Sequence, residues 1–180
     1  MVFLKTHLDG LLVIEPKVFE DSRGFFYESF NQKRFNEFVP GTVFVQDNHS
    51  KSNKGVLRGL HYQIQHAQGK LVRVVQGSVF DVAVDIRKSS STFGQWFGIE
   101  LSSTNKKQLW IPAGYAHGFL TLEDNTEFLY KTTEFYHPDF ERSILWNDQE
   151  IGISWPTISD VKLSSKDQGG NPIKNAEVYQ

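Results

Sequence analysis

Not one of the 180 residues is cysteine. Disulfide staples and thiolate chemistry are therefore excluded. The absence also fits a cytoplasmic protein. There is no basic excess either: 19 Lys and Arg stand against 21 Asp and Glu, for a formal net charge of −2. Neither nucleic acid nor an anionic membrane surface is expected as a partner, and any basic patch must be local and suited to a small anion. Long hydrophobic runs are missing as well. Nothing approaches the roughly 18 consecutive apolar residues that a spanning helix needs. Met1-Val2-Phe3-Leu4-Lys5 lacks the long apolar region of a secretory signal, so none is expected.

What remains is an ordinary globular composition, 39% hydrophobic and 22% charged, which suits one domain over residues 1–180 around a single sizeable core. The 14% aromatic content favours strands and aromatic-lined pockets. Along the chain, 10–18 reads as a strand whose Pro16 suggests an edge or bulge, 19–24 as a turn and 25–30 as a strand. Asn31 can cap a short helix over 31–39, stopped by Pro40-Gly41. From Thr42 onward the pattern is almost wholly β. Strands are expected at 42–48, 56–63, 70–75, 79–86, 93–101, 108–111, 117–122 and 126–135, with turns every eight to twelve residues or so. That spacing points to a mostly β sandwich or barrel beside the one short helix. In 79–86, Phe80, Val82, Val84 and Ile86 share one face, and Asp81, Ala83 and Asp85 the other; the two aspartates read as structural. The tail after Trp155-Pro156 is polar and short, with a strand expected before Ser164.

Two stretches carry chemistry. Within Val56–Gln63, Arg58 offers paired donors to a phosphate or carboxylate, and His61 lies three residues on. On an ideal strand these two do not share a face, and Gly59 between them allows a bulge or a close backbone approach. Pro112-Ala113-Gly114-Tyr115-Ala116-His117 has the P-x-G-x-x-H spacing that resembles the second motif of the cupin superfamily. A cupin's first motif begins H-x-H, and here Gln63 stands at its second histidine. A transition ion prefers imidazole to carboxamide, so a metal site in the barrel is not expected. A barrel without the ion must work by acid–base chemistry. The groups at hand are His61, His117, Lys70, Tyr130 and several carboxylates. Together they fit removal and return of a proton α to a ketone: imidazole as base, phenol as acid, ammonium beside the enolate oxygen. Taken singly, each has a plainer reading, with Lys70 as a solvated strand end, Tyr130 as a half-buried barrel aromatic and Asp167 as a turn residue.

Seven blocks then settle into one pattern. They are 21–26 (DSRGFF), 46–50 (QDNHS), 55–63 (GVLRGLHYQ), 68–72 (QGKLV), 80–87 (FDVAVDIR), 110–119 (WIPAGYAHGF) and 163–167 (LSSKD). In this order, over nearly the whole chain, they resemble the dTDP-4-dehydrorhamnose 3,5-epimerase family. The resemblance implies a cupin-like jelly-roll barrel, free of metal and cofactor and usually a homodimer. Its reaction inverts C3 and C5 of dTDP-4-dehydro-6-deoxy-D-glucose, giving dTDP-4-dehydro-L-rhamnose on the route to dTDP-L-rhamnose. It implies His61 as the base, Asp167 as the group holding its imidazole, Lys70 at the enolate oxygen and Tyr130 as the acid. It further implies Arg23, Glu28, Gln46, Asp47, Asn48, Arg58, His117, Glu141 and Lys166 as contacts to the nucleotide or sugar. In relatives the Arg23 to Glu28 segment reaches the partner's site, so residues 1–50 would serve dimer and site, 56–146 the barrel, and 147–180 a tail. Phe19 and Phe26 are candidate thymine-stacking faces, with core packing as the other reading. His7, His49, His66 and His137 receive no role. A single 3- or 5-epimerase, a metal cupin and a non-catalytic sugar-binding barrel stay open as alternatives.

Overall fold

A computed structural model describes residues 1–180. Alternating side chains let thirteen strands build two facing sheets and one small hairpin. The six-stranded sheet contains β1 (Val2–Lys5), β2 (Leu12–Glu15), β10 (Gln108–Ile111), β7 (Lys70–Gln76), β12 (Thr126–Thr132) and β5 (Gln46–Ser52), in that order. The five-stranded sheet runs β13 (Glu141–Ser143), β6 (Leu57–Gln63), β11 (Tyr115–Thr121), β8 (Ser78–Asp85) and β9 (Trp96–Ser102). All these pairs are antiparallel. The result is the sandwich or barrel that the strand spacing suggests, with the double-sheet jelly-roll form that the family resemblance implies.

Between the sheets, Val72, Val74 and Phe128 from one side meet Val79, Ala83, Leu101 and Phe119 from the other. This packing forms the apolar part of the interior. The apolar face of β8 points away from that interior. Val82, Val84 and Ile86 pack outward with Leu60, Tyr62 and Ala116, beneath Ile144, Ile151, Ile173 and Val178. The tail is therefore a cover for the outer face of the five-stranded sheet, which buries both faces of β8. Its polar composition hid this, because a few apolar anchors suffice.

Local boundaries obey hydrogen bonding more than residue type. The expected strand at 42–48 shifts to Gln46–Ser52, where β5 finds a full partner in β12, from Thr132↔Gln46 to Thr126↔Ser52. The expected turn at 19–24 contracts to Ser22-Arg23, and its flanks pair as β3 (Val18–Asp21) and β4 (Gly24–Tyr27). The expected helix at 31–39 is α1, Gln32–Asn36; Asn31 Oδ1 accepts from Arg34 N–H at 3.0 Å, as its capping role predicts. The strand expected before Ser164 is only a bridge, Val56↔Lys162. The chain then enters α2, Ser165–Gln168, so Asp167 lies on a helix rather than in a turn.

Candidate active site

The central strand carries its own distortion. On β11, His117 lies opposite His61 and Phe119 opposite Arg58, so three steps along β6 match two along β11. That extra residue is a β-bulge. Directly paired residues project to the same face, and His117 and Phe119 share one. The bulge therefore brings Arg58 and His61 onto the same face, although three-residue spacing would separate them. Gly59 makes it possible. Its φ is +117°, and a Cβ there would sit 2.6 Å from the Gly118 Cα and the His117 carbonyl oxygen.

His61 Nε2 lies 2.6 Å from Asp167 Oδ1. Asp167 is 4% exposed and comes from α2, in which Ser164 caps the helix. Ser164 Oγ donates to Asp167 Oδ2 at 2.6 Å, and the Gly59 N–H donates to Oδ1 at 3.2 Å. Burial alone would raise this carboxyl. Hydrogen bonds from His61, Ser164 and Gly59, together with the imidazole's charge, win and hold it at about 2. A permanent carboxylate on one ring nitrogen fixes the orientation of the imidazole.

The facing sheet supplies the other groups. Register places Asn48 beside Tyr130, Tyr130 beside Val72, and Thr132 between Gln46 and Lys70. Tyr130 and Lys70 thus project from one sheet and His61 from the opposite one. Lys70 is buried rather than solvated; desolvation lowers it to about 8, opposed by the carboxylates Glu141 and Asp81, while Lys166 adds to the lowering. Tyr130 is raised by burial and by Glu141, with Arg58 pulling the other way, so it keeps its proton. Glu141, on β13, accepts from Tyr136 OH at 2.6 Å and pairs with Lys166. Burial would raise its carboxyl, but those two partners and the His61 charge lower it. Arg58 reaches Ser52 Oγ through Nε and an amino group, both at 3.2 Å.

The remaining expected contacts fall into two groups. Gln46 and Asn48 face inward, bonded to each other at 3.0 Å. Asp47 between them points to the outer face of the sheet, where Lys131 Nζ sits 2.9 Å away. Its carboxylate is therefore not brought to the interior, since strand alternation forbids three consecutive inward side chains. Arg23 sits at the tip of the β3–β4 hairpin, 88% exposed at its side chain and bonded only to Asp21. Glu28 accepts from Asn31 at 3.0 Å. Neither makes a hydrogen bond to the barrel lining of its own chain. Phe19 and Phe26 are 54% and 72% exposed, so core packing is not their role.

Three residues join the site that residue types alone did not assign to it. Asp81, read as structural, is fully buried and holds His117 Nε2 at 3.0 Å. Desolvation raises its carboxyl, opposed by His117 and Lys70. Tyr136 is pushed up to about 12, first by its hydrogen bond to Glu141. Ser164 locks Asp167. The inward phase of Asp81 on β8 is a usable signal; the other two depend on loop paths.

The fold and this site define a class: a cupin-like β-barrel with acid–base side chains gathered in its interior. Known relatives narrow it. The profile of the family described as dTDP-4-dehydrorhamnose 3,5-epimerase matches residues 5–175. A protein of that name from Shigella flexneri is 60% identical over 181 residues, 99% of either chain. A solved dTDP-6-deoxy-D-glucose-3,5-epimerase from Legionella pneumophila, in complex with dTDP-4-keto-L-rhamnose, is 52% identical with a TM-score of 0.95, over 98% of this chain and 94% of that one. A 3'-monoepimerase from Streptomyces bikiniensis, in complex with dTDP-quinovose, is 31% identical with a TM-score of 0.89, over 94% and 86%. The chain belongs to the dTDP-4-dehydrorhamnose 3,5-epimerase family.

Proposed function

We propose that this protein converts dTDP-4-dehydro-6-deoxy-D-glucose to dTDP-4-dehydro-L-rhamnose, by inversion at C3 and C5, in dTDP-L-rhamnose biosynthesis. The observation that carries the mechanism is an Asp167-held imidazole on one sheet facing a phenol and a buried ammonium on the other. C3 and C5 both flank the C4 ketone, so one carbonyl acidifies both C–H bonds. His61 takes the proton from one face as the C–H pair moves into an enolate with its charge on O4. Lys70 stabilises that charge in a largely desolvated setting, where a fixed cation is worth more than in water. Tyr130 returns a proton to the same carbon from the other face, which completes the inversion. The imidazolium and phenolate that remain reset by exchange with solvent.

Arg58, with Gln46, Asn48 and Lys166, suits the diphosphate and sugar; an arginine fork gives a phosphate paired hydrogen bonds. His117 is held by Asp81 toward the same space, and Glu141 arranges Lys166 and Tyr136 at its edge. Asp47 has only its main chain to offer there. We propose a homodimer in which Arg23 and Glu28 complete the partner's site. Support comes from a hairpin that holds a cation out to solvent beside three exposed rings, Phe19, Phe25 and Phe26. An apolar, cation-tipped projection of this kind marks an interaction surface. The barrel lining supplies its acid–base groups without drawing on a metal or organic cofactor. No helix is long and apolar enough to cross a membrane. A cysteine-free chain acting on a nucleotide sugar suits the cytoplasm.

The test is incubation with dTDP-4-dehydro-6-deoxy-D-glucose in deuterated water, read out by NMR. Deuterium at both C3 and C5 with inverted product supports the double epimerase. Inversion at one carbon alone would make it a monoepimerase. Loss of activity on chelation would favour a metal cupin, and absence of exchange would reduce the protein to a binding barrel.

A further inference from the structure

His66 and His137 take no part in the barrel chemistry, yet the fold brings them together. Their rings stack with centroids 4.1 Å apart and planes 20° from parallel, beside Phe140. Glu134 completes the group: one donor atom from each of the three lies within 4.8 Å of the others. His66 is exposed, and the other two are half-buried, so the cluster opens to solvent.

The two segments that carry these donors are not loosely placed. Gln63, 3% exposed, ties them from below. Its Nε2 donates to the His66 carbonyl at 2.7 Å and to the Phe135 carbonyl at 3.2 Å, and its Oε1 accepts from the His137 N–H at 2.8 Å. Gln68 Nε2 and Thr132 Oγ1 both donate to the Glu134 carbonyl at 2.9 Å. The Ile64 N–H donates to the Phe140 carbonyl at 2.9 Å. Glu134 Oε1 accepts from the Phe135 N–H at 2.8 Å, which leaves Oε2 free. The backbone is thus fixed, while neither imidazole makes a side-chain hydrogen bond.

We propose that His66, Glu134 and His137 form a binding site for a borderline divalent ion such as Zn2+ or Ni2+, outside the barrel interior. Two imidazoles and one carboxylate with a position left for water make a familiar donor set for such ions. Imidazole lone pairs lie in the ring planes, and these planes are 20° from parallel, so one ring must swing out of the stack before both nitrogens reach an ion at Zn–N distances of about 2.0–2.1 Å. The exposed His66 side chain has the freedom to do so. Hard ions such as Mg2+ prefer oxygen and should be refused. A bound ion would clip the 64–68 loop to the 133–137 segment. That segment also carries Tyr136, whose hydroxyl meets Glu141 at the edge of the active site.

The experiment uses the untagged full-length protein, stripped with chelator and titrated with ZnCl2, NiCl2 or MgCl2 by calorimetry. We expect saturable Zn2+ uptake of one ion per chain, none for Mg2+, and at least a tenfold weaker Zn2+ affinity in H66N/H137N. Asparagine suits the positive φ of 53° at position 66, and E134Q, which leaves the backbone bonds in place, provides a second variant that should also weaken uptake. Hydrogen exchange at 64–68 and 134–137 should slow with Zn2+ in the parent protein only. No Zn2+ uptake by the parent, or uptake of unchanged affinity in both variants, would overturn the assignment.

Discussion

Asp167→Asn separates the holding of His61 from everything else in the barrel. The replacement keeps the shape of the side chain and removes its charge. In the folded protein the carboxyl falls from the usual 3.8 to about 2, because His61, Ser164 and the Gly59 N–H favour the charged form. At 1.36 kcal/mol per pKa unit, that depression corresponds to folding stability on the order of 2 kcal/mol. A depressed carboxyl contributes fully above its unfolded value. The contribution is therefore whole at pH 7 and disappears as pH falls from about 4 to about 2. The variant should lose about 2 kcal/mol in urea denaturation at pH 7 and show a shallower acid transition in that window. An unheld base should also cost about 10² to 10⁴ in deuterium exchange at C3 and C5, the range for general-base contributions. Circular dichroism against pH and NMR exchange rates measure the two effects separately. Parent-like exchange together with a parent-like acid transition would refute the linkage between Asp167 and the base.

Lys70→Met should move stability and activity in opposite directions. Desolvation holds this lysine at about 8 against an ordinary 10.5, so the folded protein binds fewer protons than the unfolded chain between those values and its stability rises with pH there. Removing the buried charge should raise the melting temperature at pH 7 while turnover falls at least a hundredfold; a lower melting temperature would count against the burial argument. In the parent protein, kcat/KM should decline above about pH 8 as Lys70 of the free enzyme loses its proton, a limb that pH–rate profiles can seek. Tyr130→Phe should leave exchange at the carbon attacked by His61 while blocking inversion, and equal loss of both by NMR would remove Tyr130 from the acid role. Gly59→Ala forces a Cβ to within 2.6 Å of the Gly118 backbone at φ +117°, so a loss of about 2 kcal/mol or more and a collapse of turnover are expected by urea titration and assay.

Strand spacing, the cap at Asn31 and the aromatic content made the two-sheet architecture legible from residue types, because alternation is a local property of the chain. His61, Lys70 and Tyr130 could be named from residue type as acid–base candidates, alongside His117, but their separate roles came only from the family resemblance. Other features had no local signature. His61 and Asp167 are 106 residues apart and meet only because α2 is carried back to β6. Arg58 and His61 read as opposite-facing until the bulge at Gly59 reverses one of them, and that bulge is defined by its partner strand. Asp47 sits inside a motif yet faces outward, and Arg23 stands out on a hairpin away from its own barrel lining. The apolar face of β8 turns outward beneath the tail, and alternation alone could not say so, because apolar character does not say which neighbour will cover it. Residue types by themselves determined the kinds of groups and the period of the strands. Tertiary structure decided which groups face one another, because that depends on register and on contacts between segments distant along the chain.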